Sequence, residues 1–125
     1  MFWGVKMKEI KLGEVESKFA NIIWEHEPLT PGELFQLAAK ELGWKRQTTD
    51  TVLKRLCEKG IFKKEGKCIF SLISKEELAA RQSEKFVYDT FDGSLPAFLT
   101  AFGSRNKLSE EEVEELKKII ESMRR

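Results

Sequence analysis

The sequence predicts a mainly α-helical chain in which three helices and a small β-hairpin are followed by a second run of helices. Three observations lead there. Thr49, Val52, Leu53 and Leu56 recur at spacings of three and four, an apolar stripe along one helix. Gly60 follows where a helix end commonly turns left-handed. The period then changes. Cys68, Phe70 and Leu72 alternate, and with Ile61 and Phe62 they flank a polar tip of Lys63, Lys64, Glu65, Gly66 and Lys67, the pattern of two short strands. A helix running straight into a short basic hairpin is the order of a winged helix-turn-helix, whose second helix enters a major groove while the hairpin lies along the phosphate backbone.

Residues 1–11 are weakly patterned, with residues 8–12 offering at most a short lead-in strand. The first helix is expected over residues 13–25, with Val15, Phe19, Ile22 and Ile23 as its apolar face and Trp24 near its end. Pro28 bars its continuation. The second helix opens on Thr30 as cap, Pro31 at the first helical position and Glu33 completing a capping box, with Leu29 and Leu34 spaced as a hydrophobic staple. Leu34, Leu37, Ala38 and Leu42 point inward, and the helix ends near Gly43. Ser74 and Glu77 form a second capping box, opening a helix over residues 74–91. There Leu78, Val87 and Phe91 face one way, with Phe86 and Tyr88 beside them. Asp92, Gly93 and Ser94 interrupt. Leu95, Phe98, Leu99 and Phe102 then form a narrow stripe, and residues 103–107 interrupt again. The last helix has a third capping box, Ser109 with Glu112, and a staple pair, Leu108 with Val113. Residues 110–112 are acidic at its positive start, and Arg124 and Arg125 stand at its negative end. Val113, Leu116, Ile120 and Met123 are spaced three, four and three, a heptad seam.

The chain has 125 residues, enough for one small domain with an appendage. Charged residues make up 34%, above the usual quarter or so, as suits a chain with much exposed helix. The expected division is residues 1–74 and residues 75–125. Three short helices with narrow stripes bury themselves poorly, so the second part is expected to pair with the same helices of another chain rather than pack back on the first. The dimerisation residues are Phe86, Phe91, Leu95, Phe98, Leu99, Phe102, Val113, Leu116, Ile120 and Met123. Net charge is +1, but unevenly spread. Residues 1–75 hold 14 Lys/Arg against 10 Asp/Glu, residues 76–125 hold 8 against 11, and residues 45–67 hold 8 against 3. Basic charge on one unit and acidic charge on the other suit a nucleic-acid-binding half joined to a self-association half.

The start of the chain lacks a signal-peptide pattern and no run approaches membrane-spanning length, so the expected location is the cytoplasm. Cys57 and Cys68 have no close-spaced partners and fall on apolar positions, which points to buried thiols. His26, the single histidine, stands at a helix end beside Glu25 and Glu27. With no ligand cluster, no phosphate-binding glycine loop and no nucleophile near His26 in the pattern, neither an enzyme nor a metal or other cofactor is expected.

The face opposite the stripe carries the candidate function. Lys45, Arg46, Lys54 and Arg55, with Lys63, Lys64 and Lys67 of the hairpin, are placed to neutralise phosphates. Gln47, Thr48, Asp50 and Thr51 are placed to read bases: glutamine can pair an adenine edge, threonine can touch a thymine methyl, and aspartate can accept from cytosine. The expected function is therefore sequence-specific DNA binding by a homodimer on a near-palindromic site. The alternative is a winged-helix protein–protein interaction module that binds no DNA, for which Asp50 amid the reading face and the near-neutral total charge speak.

Over about residues 12–121 the chain resembles the penicillinase-repressor family of bacterial transcriptional regulators, the BlaI/MecI/CopY type. Leu12, Glu16 and the Ile23, Trp24, Glu25 triplet match the family's opening, and Trp44 stands where it has a tryptophan before the recognition helix. Thr48, Thr51, the run Leu53, Lys54, Arg55, Leu56, and then Glu58, Lys59, Gly60 fit that helix. Asp92, Gly93, Ser94, then Leu108, Ser109, Glu110, Glu111, and Glu114, Glu115, Leu116 fit its dimerisation half. The resemblance implies a homodimeric repressor at a dyad operator, with Thr48 and Thr51 approaching bases and Arg55 near a phosphate. It also implies a membrane sensor peptidase as a partner that triggers cleavage before the residue that here is Phe102. Two departures stand out. Lys45 and Arg46 replace the family's usual Ser-Pro, which loses a cap and gains two cations with reach to phosphate, and Ala101 stands where the family often has asparagine. The closely spaced C-terminal cysteines of the copper-responsive branch are absent.

Overall fold

The apolar stripes of the first three helices meet in one core in a computed structural model that describes residues 10–125. The order is α1 (Glu14–His26), α2 (Pro31–Leu42), α3 (Arg46–Glu58), β1 (Phe62–Glu65), β2 (Cys68–Ser71), α4 (Lys75–Phe91), α5 (Leu95–Gly103) and α6 (Glu110–Ser122). The fold is thus mainly helical with a two-stranded antiparallel sheet, the plan of a winged helix. Phe19, Ala20, Ile22 and Ile23 of α1 bury against Leu34 and Ala38 of α2 and Thr49, Val52, Leu53 and Leu56 of α3. Phe19 and Trp44 lie with ring centroids 5.1 Å apart, and Trp24 and Phe62 5.4 Å apart, so aromatic contacts tie α1 to the α2–α3 turn and to the wing.

The caps explain where the helices begin. At α2 the Glu33 N–H donates to Thr30 Oγ1 at 3.2 Å and the Thr30 N–H donates to Glu33 Oε1 at 2.9 Å, a complete capping box. Ser109 and Glu112 do the same at α6. At α4 only half of the expected box forms. The Glu77 N–H donates to Ser74 Oγ at 3.0 Å, but the Glu77 carboxylate turns forward to Arg81, whose Nε–H reaches it at 3.2 Å one turn on.

Two expectations about the hairpin are corrected. The inward residue of β2 is Ile69, fully buried, whereas Cys68 and Phe70 are only half-buried and Leu72 is 56% exposed. The phase comes from outside the hairpin. The Leu29 N–H donates to Ile69 O at 3.2 Å and the Ile69 N–H to Leu29 O at 2.8 Å, adding a one-residue third strand. Side chains alternate along a strand, so this pairing decides which set faces the core. The wing tip is also shorter than expected. Lys63, Lys64 and Glu65 belong to β1, Glu65 pairs with Cys68, and only Gly66 and Lys67 make the turn, with Gly66 in the left-handed region at φ +62°.

Val15, expected in the face of α1, is 51% exposed. The first turn instead directs Glu16 toward α3. Its carboxylate accepts from the Gly13 N–H at 3.1 Å and lies 3.4 Å from both Arg55 Nη1 and Lys59 Nζ, while Lys59 Nζ also donates to Lys11 O at 2.7 Å. The Gly13 N–H, with help from Lys59 and Arg55, holds the Glu16 carboxyl below its ordinary range against the opposing effect of burial. At the far end of α1 the Glu27 carboxylate accepts from both the N–H and the hydroxyl of Ser71 at 2.8 Å, and Trp24 Nε1–H donates to Ile73 O at 3.0 Å. The wing is therefore anchored to α1 through β2, its inner strand, and the residues just after it.

Beyond the core, α4 enters through buried Leu78 and then leaves it. Phe86, Phe91 and Phe98 form an edge-to-face triangle with centroids 5.7–6.1 Å apart, and Phe102 lies 6.3 Å from Phe98, so α5 folds back on α4. Asp92 at φ 51° and Gly93 at φ 80° make the bend. Neither α5 nor α6 has a buried residue.

Replacing Ile69 by Ala is expected to lower stability by about 2–5 kcal/mol in urea unfolding, and Phe70→Ala by clearly less; the reverse order would contradict the pairing through Leu29. Glu16→Gln tests the α1–α3 link. A carboxyl whose folded pKa is depressed contributes stability present above its unfolded pKa and lost as pH falls through the folded one. The difference between wild type and Glu16→Gln should be largest near neutral pH and close by the acid end of a pH series of unfolding curves. A difference that stays constant with pH would refute the ionic role.

Candidate nucleic-acid interface

The buried stripe of α3 leaves its other faces to solvent. Thr49 is turned inward, and its hydroxyl donates to Lys45 O at 3.2 Å, so the polar group inside the core is satisfied. Arg46, Gln47, Thr48, Thr51, Lys54 and Arg55 are exposed and Asp50 is half-buried. Lys45 is the N-cap and makes no side-chain capping bond, as the loss of a Ser-Pro start implies.

The charges on this face are not loose. Lys54 Nζ lies 3.3 Å from the Asp50 carboxylate one turn back, and Arg55 is steadied by Glu16 from α1. Arg46 places its guanidinium carbon 4.8 Å from the ring centroid of Phe35 on α2. The Thr51 hydroxyl donates to Gln47 O at 2.9 Å while the residue stays exposed, so the oxygen keeps its capacity to accept. On the wing, Lys63 pairs with Glu65 at 2.9 Å, and Lys63, Lys64 and Lys67 are all exposed. α3 and β1 pack together, and Lys63 and Lys64 of the wing line grooves shared with Arg46, Gln47, Asp50 and Lys54 of α3, so these residues belong to one side of the molecule.

Four contributors escaped the sequence reading. The Glu16 carboxylate accepts from Arg55, 39 residues away, and from Lys59, 43 residues away, and no periodicity signals pairs so distant. Phe35 stands one place from the inward Leu34 and looks like a peripheral core residue until Arg46 is found over it. On the tail, Ile119 is exposed beside the expected seam, so the apolar face of α6 is broader than a strict heptad stripe.

Other candidate chemistry finds simple explanations. His26 Nδ1 lies 2.8 Å from Ile22 O, one turn back in α1. Cys57 and Cys68 are free and half-buried, and burial pushes the Cys57 thiol up from its ordinary value. Among the described residues no group of His, Cys, Asp and Glu could hold a metal ion, and no helix is long and apolar enough to cross a membrane. The bond between Ala101 and Phe102 lies within α5, with the Phe102 ring half exposed.

Known proteins place this arrangement in context. The chain is 28% identical over 120 residues to the penicillinase repressor of Bacillus licheniformis, covering 92% of this chain and 94% of that protein. It is 26% identical over 117 residues to the methicillin resistance regulatory protein MecI of Staphylococcus aureus, covering 90% and 95%. A penicillinase repressor of Staphylococcus aureus is 23% identical over 117 residues. The family model for the penicillinase repressor matches residues 12–122, from the lead into α1 through the end of α6. The chain belongs to the penicillinase repressor family.

Proposed function

We propose that this protein is a transcriptional repressor that binds a dyad DNA operator as a homodimer. The observation that carries the reading is the exposure of the polar face of α3 with the wing lysines Lys63 and Lys64 beside Arg46, Gln47, Asp50 and Lys54, in a chain whose tail leaves its apolar face uncovered. α3 would lie in the major groove with Gln47, Thr48, Asp50 and Thr51 toward base edges, and the wing would follow the backbone through Lys63, Lys64 and Lys67. Lys45, Lys54 and Arg55 would supply the remaining backbone attraction. The carboxylate of Asp50, which on sequence alone speaks against DNA, meets Lys54 and so presents little net repulsion.

The division of labour follows the exposure pattern. Residues 1–74 would bind DNA and residues 75–125 would dimerise. Phe86, Phe91, Leu95, Phe98, Leu99, Phe102, Val113, Leu116, Ile120 and Met123 supply the self-association surface. Ile120 at 51% and Met123 at 60% exposure are large apolar side chains that an isolated chain leaves in water. A two-fold pairing would set two copies of α3 at matching grooves about one helical turn apart and require a near-palindromic site.

In gel-shift titrations, Thr51→Ala should weaken binding to a duplex selected from random-sequence DNA more than binding to unselected DNA. Equal losses on both would remove Thr51 from base reading. Log affinity should fall with log salt by about 0.9 per phosphate neutralised. Sedimentation of the wild type at micromolar concentration should give a dimer, and Ile120→Glu should shift it to monomer and reduce operator affinity at least about tenfold. A wild type that sediments as a monomer would overturn the dimeric reading.

A further inference from the structure

We propose that Arg46 reads a guanine in each half-site and that Phe35 is its positioning residue, an assignment that rests on the operator-binding reading above. Arg46 is the first residue of α3, and the N-terminal residues of a helix set in the major groove are those that reach base edges. Its guanidinium rests over the Phe35 ring at 4.8 Å. A cation held against an aromatic face has a restricted plane, while its in-plane N–H groups remain available. A planar donor fork matches the paired O6 and N7 acceptors of guanine as well as it matches a phosphate, and of the two only the guanine contact depends on sequence.

The neighbouring cations are held differently. Lys54, Arg55 and Lys63 each lie within 2.9–3.4 Å of a carboxylate, from Asp50, Glu16 and Glu65 respectively. Among the described residues no carboxylate lies within ion-pair distance of Arg46, because Asp50, one turn along the same helix, is turned to Lys54. Arg46 lines an open groove with Pro31, Phe35, Gln47, Asp50 and Lys64, between the start of α2, the start of α3 and the wing. A base edge approached from this groove would meet Arg46 and Gln47 together, with Lys64 from the wing alongside.

The test is selection of bound duplexes from random-sequence DNA, followed by titration of single-base variants of the selected site. Wild type should enrich guanine at one position per half-site. Arg46→Gln, Arg46→Lys and Phe35→Leu should each reduce discrimination at that position by about tenfold and leave the other positions unchanged, while Phe35→Trp should retain it. Far-UV circular dichroism and the urea midpoint report whether each variant is folded, and Arg46→Lys, a surface change that keeps the charge, decides the matter if Phe35→Leu unfolds. The proposal is overturned if folded Phe35→Leu keeps the guanine preference. It is also overturned if Arg46→Gln weakens all sequences alike and lowers the salt slope by about 0.9, the mark of a phosphate contact. Selection of a defined site without guanine would defeat this pair and leave operator binding standing, whereas selection of no site by wild type would defeat operator binding as well.

Discussion

The paired hydrogen bonds between Leu29 and Ile69 are the constraint on which the rest of the winged unit depends. A two-stranded hairpin is marginal by itself in water, and its orientation relative to a helix is undetermined unless something outside it sets the register. Here a single residue between α1 and α2 becomes a third strand, buries both side chains and turns Ile69 to the core. Glu27 then holds Ser71 from the end of α1, and Trp24 packs on Phe62. These contacts leave Lys63, Lys64 and Lys67 exposed on a scaffold fixed to the same core as α3.

Charge on the exposed face of α3 is organised by partners that contribute little to folding. Exposed ion pairs of the Lys54–Asp50 kind are worth at most about 1 kcal/mol each. What they change is geometry. Asp50 draws Lys54, Glu16 draws Arg55, and Phe35 receives Arg46, so each long side chain begins from a restricted set of positions. Restricting a flexible side chain before binding lowers the entropy lost on contact. The same contacts are modest enough to give way to a phosphate or a base.

The tail follows a different logic. α4 carries one end of the core in Leu78 and the other end into an aromatic cluster with α5, and that cluster remains partly open. α6 buries nothing although its start is fully capped. This helix is well specified locally, yet it presents Ile119, Ile120 and Met123 to water, an apolar face that no described residue covers. That is why the proposed dimer draws on this half.

The sequence by itself determined the elements and their order. Local signals suffice for that: the Thr30 and Ser109 capping boxes, the left-handed Gly43, Gly60 and Gly66, and the three-four spacing of Thr49, Val52, Leu53 and Leu56 depend on residues a few places apart. The candidate reading face was legible for the same reason, since burying one side of α3 leaves the other side outward. Where the signal had to cross the chain it was lost. The phase of β2 depends on Leu29, forty residues earlier, and Cys68, Phe70 and Leu72 are as apolar as Ile69, so composition could not choose between the faces. The reach of Glu16 to Arg55 and Lys59 and of Phe35 to Arg46 likewise exists only once the helices cross. Tertiary structure alone decided these, because a side chain's partner is set by proximity in space, and periodicity carries information only along a single element.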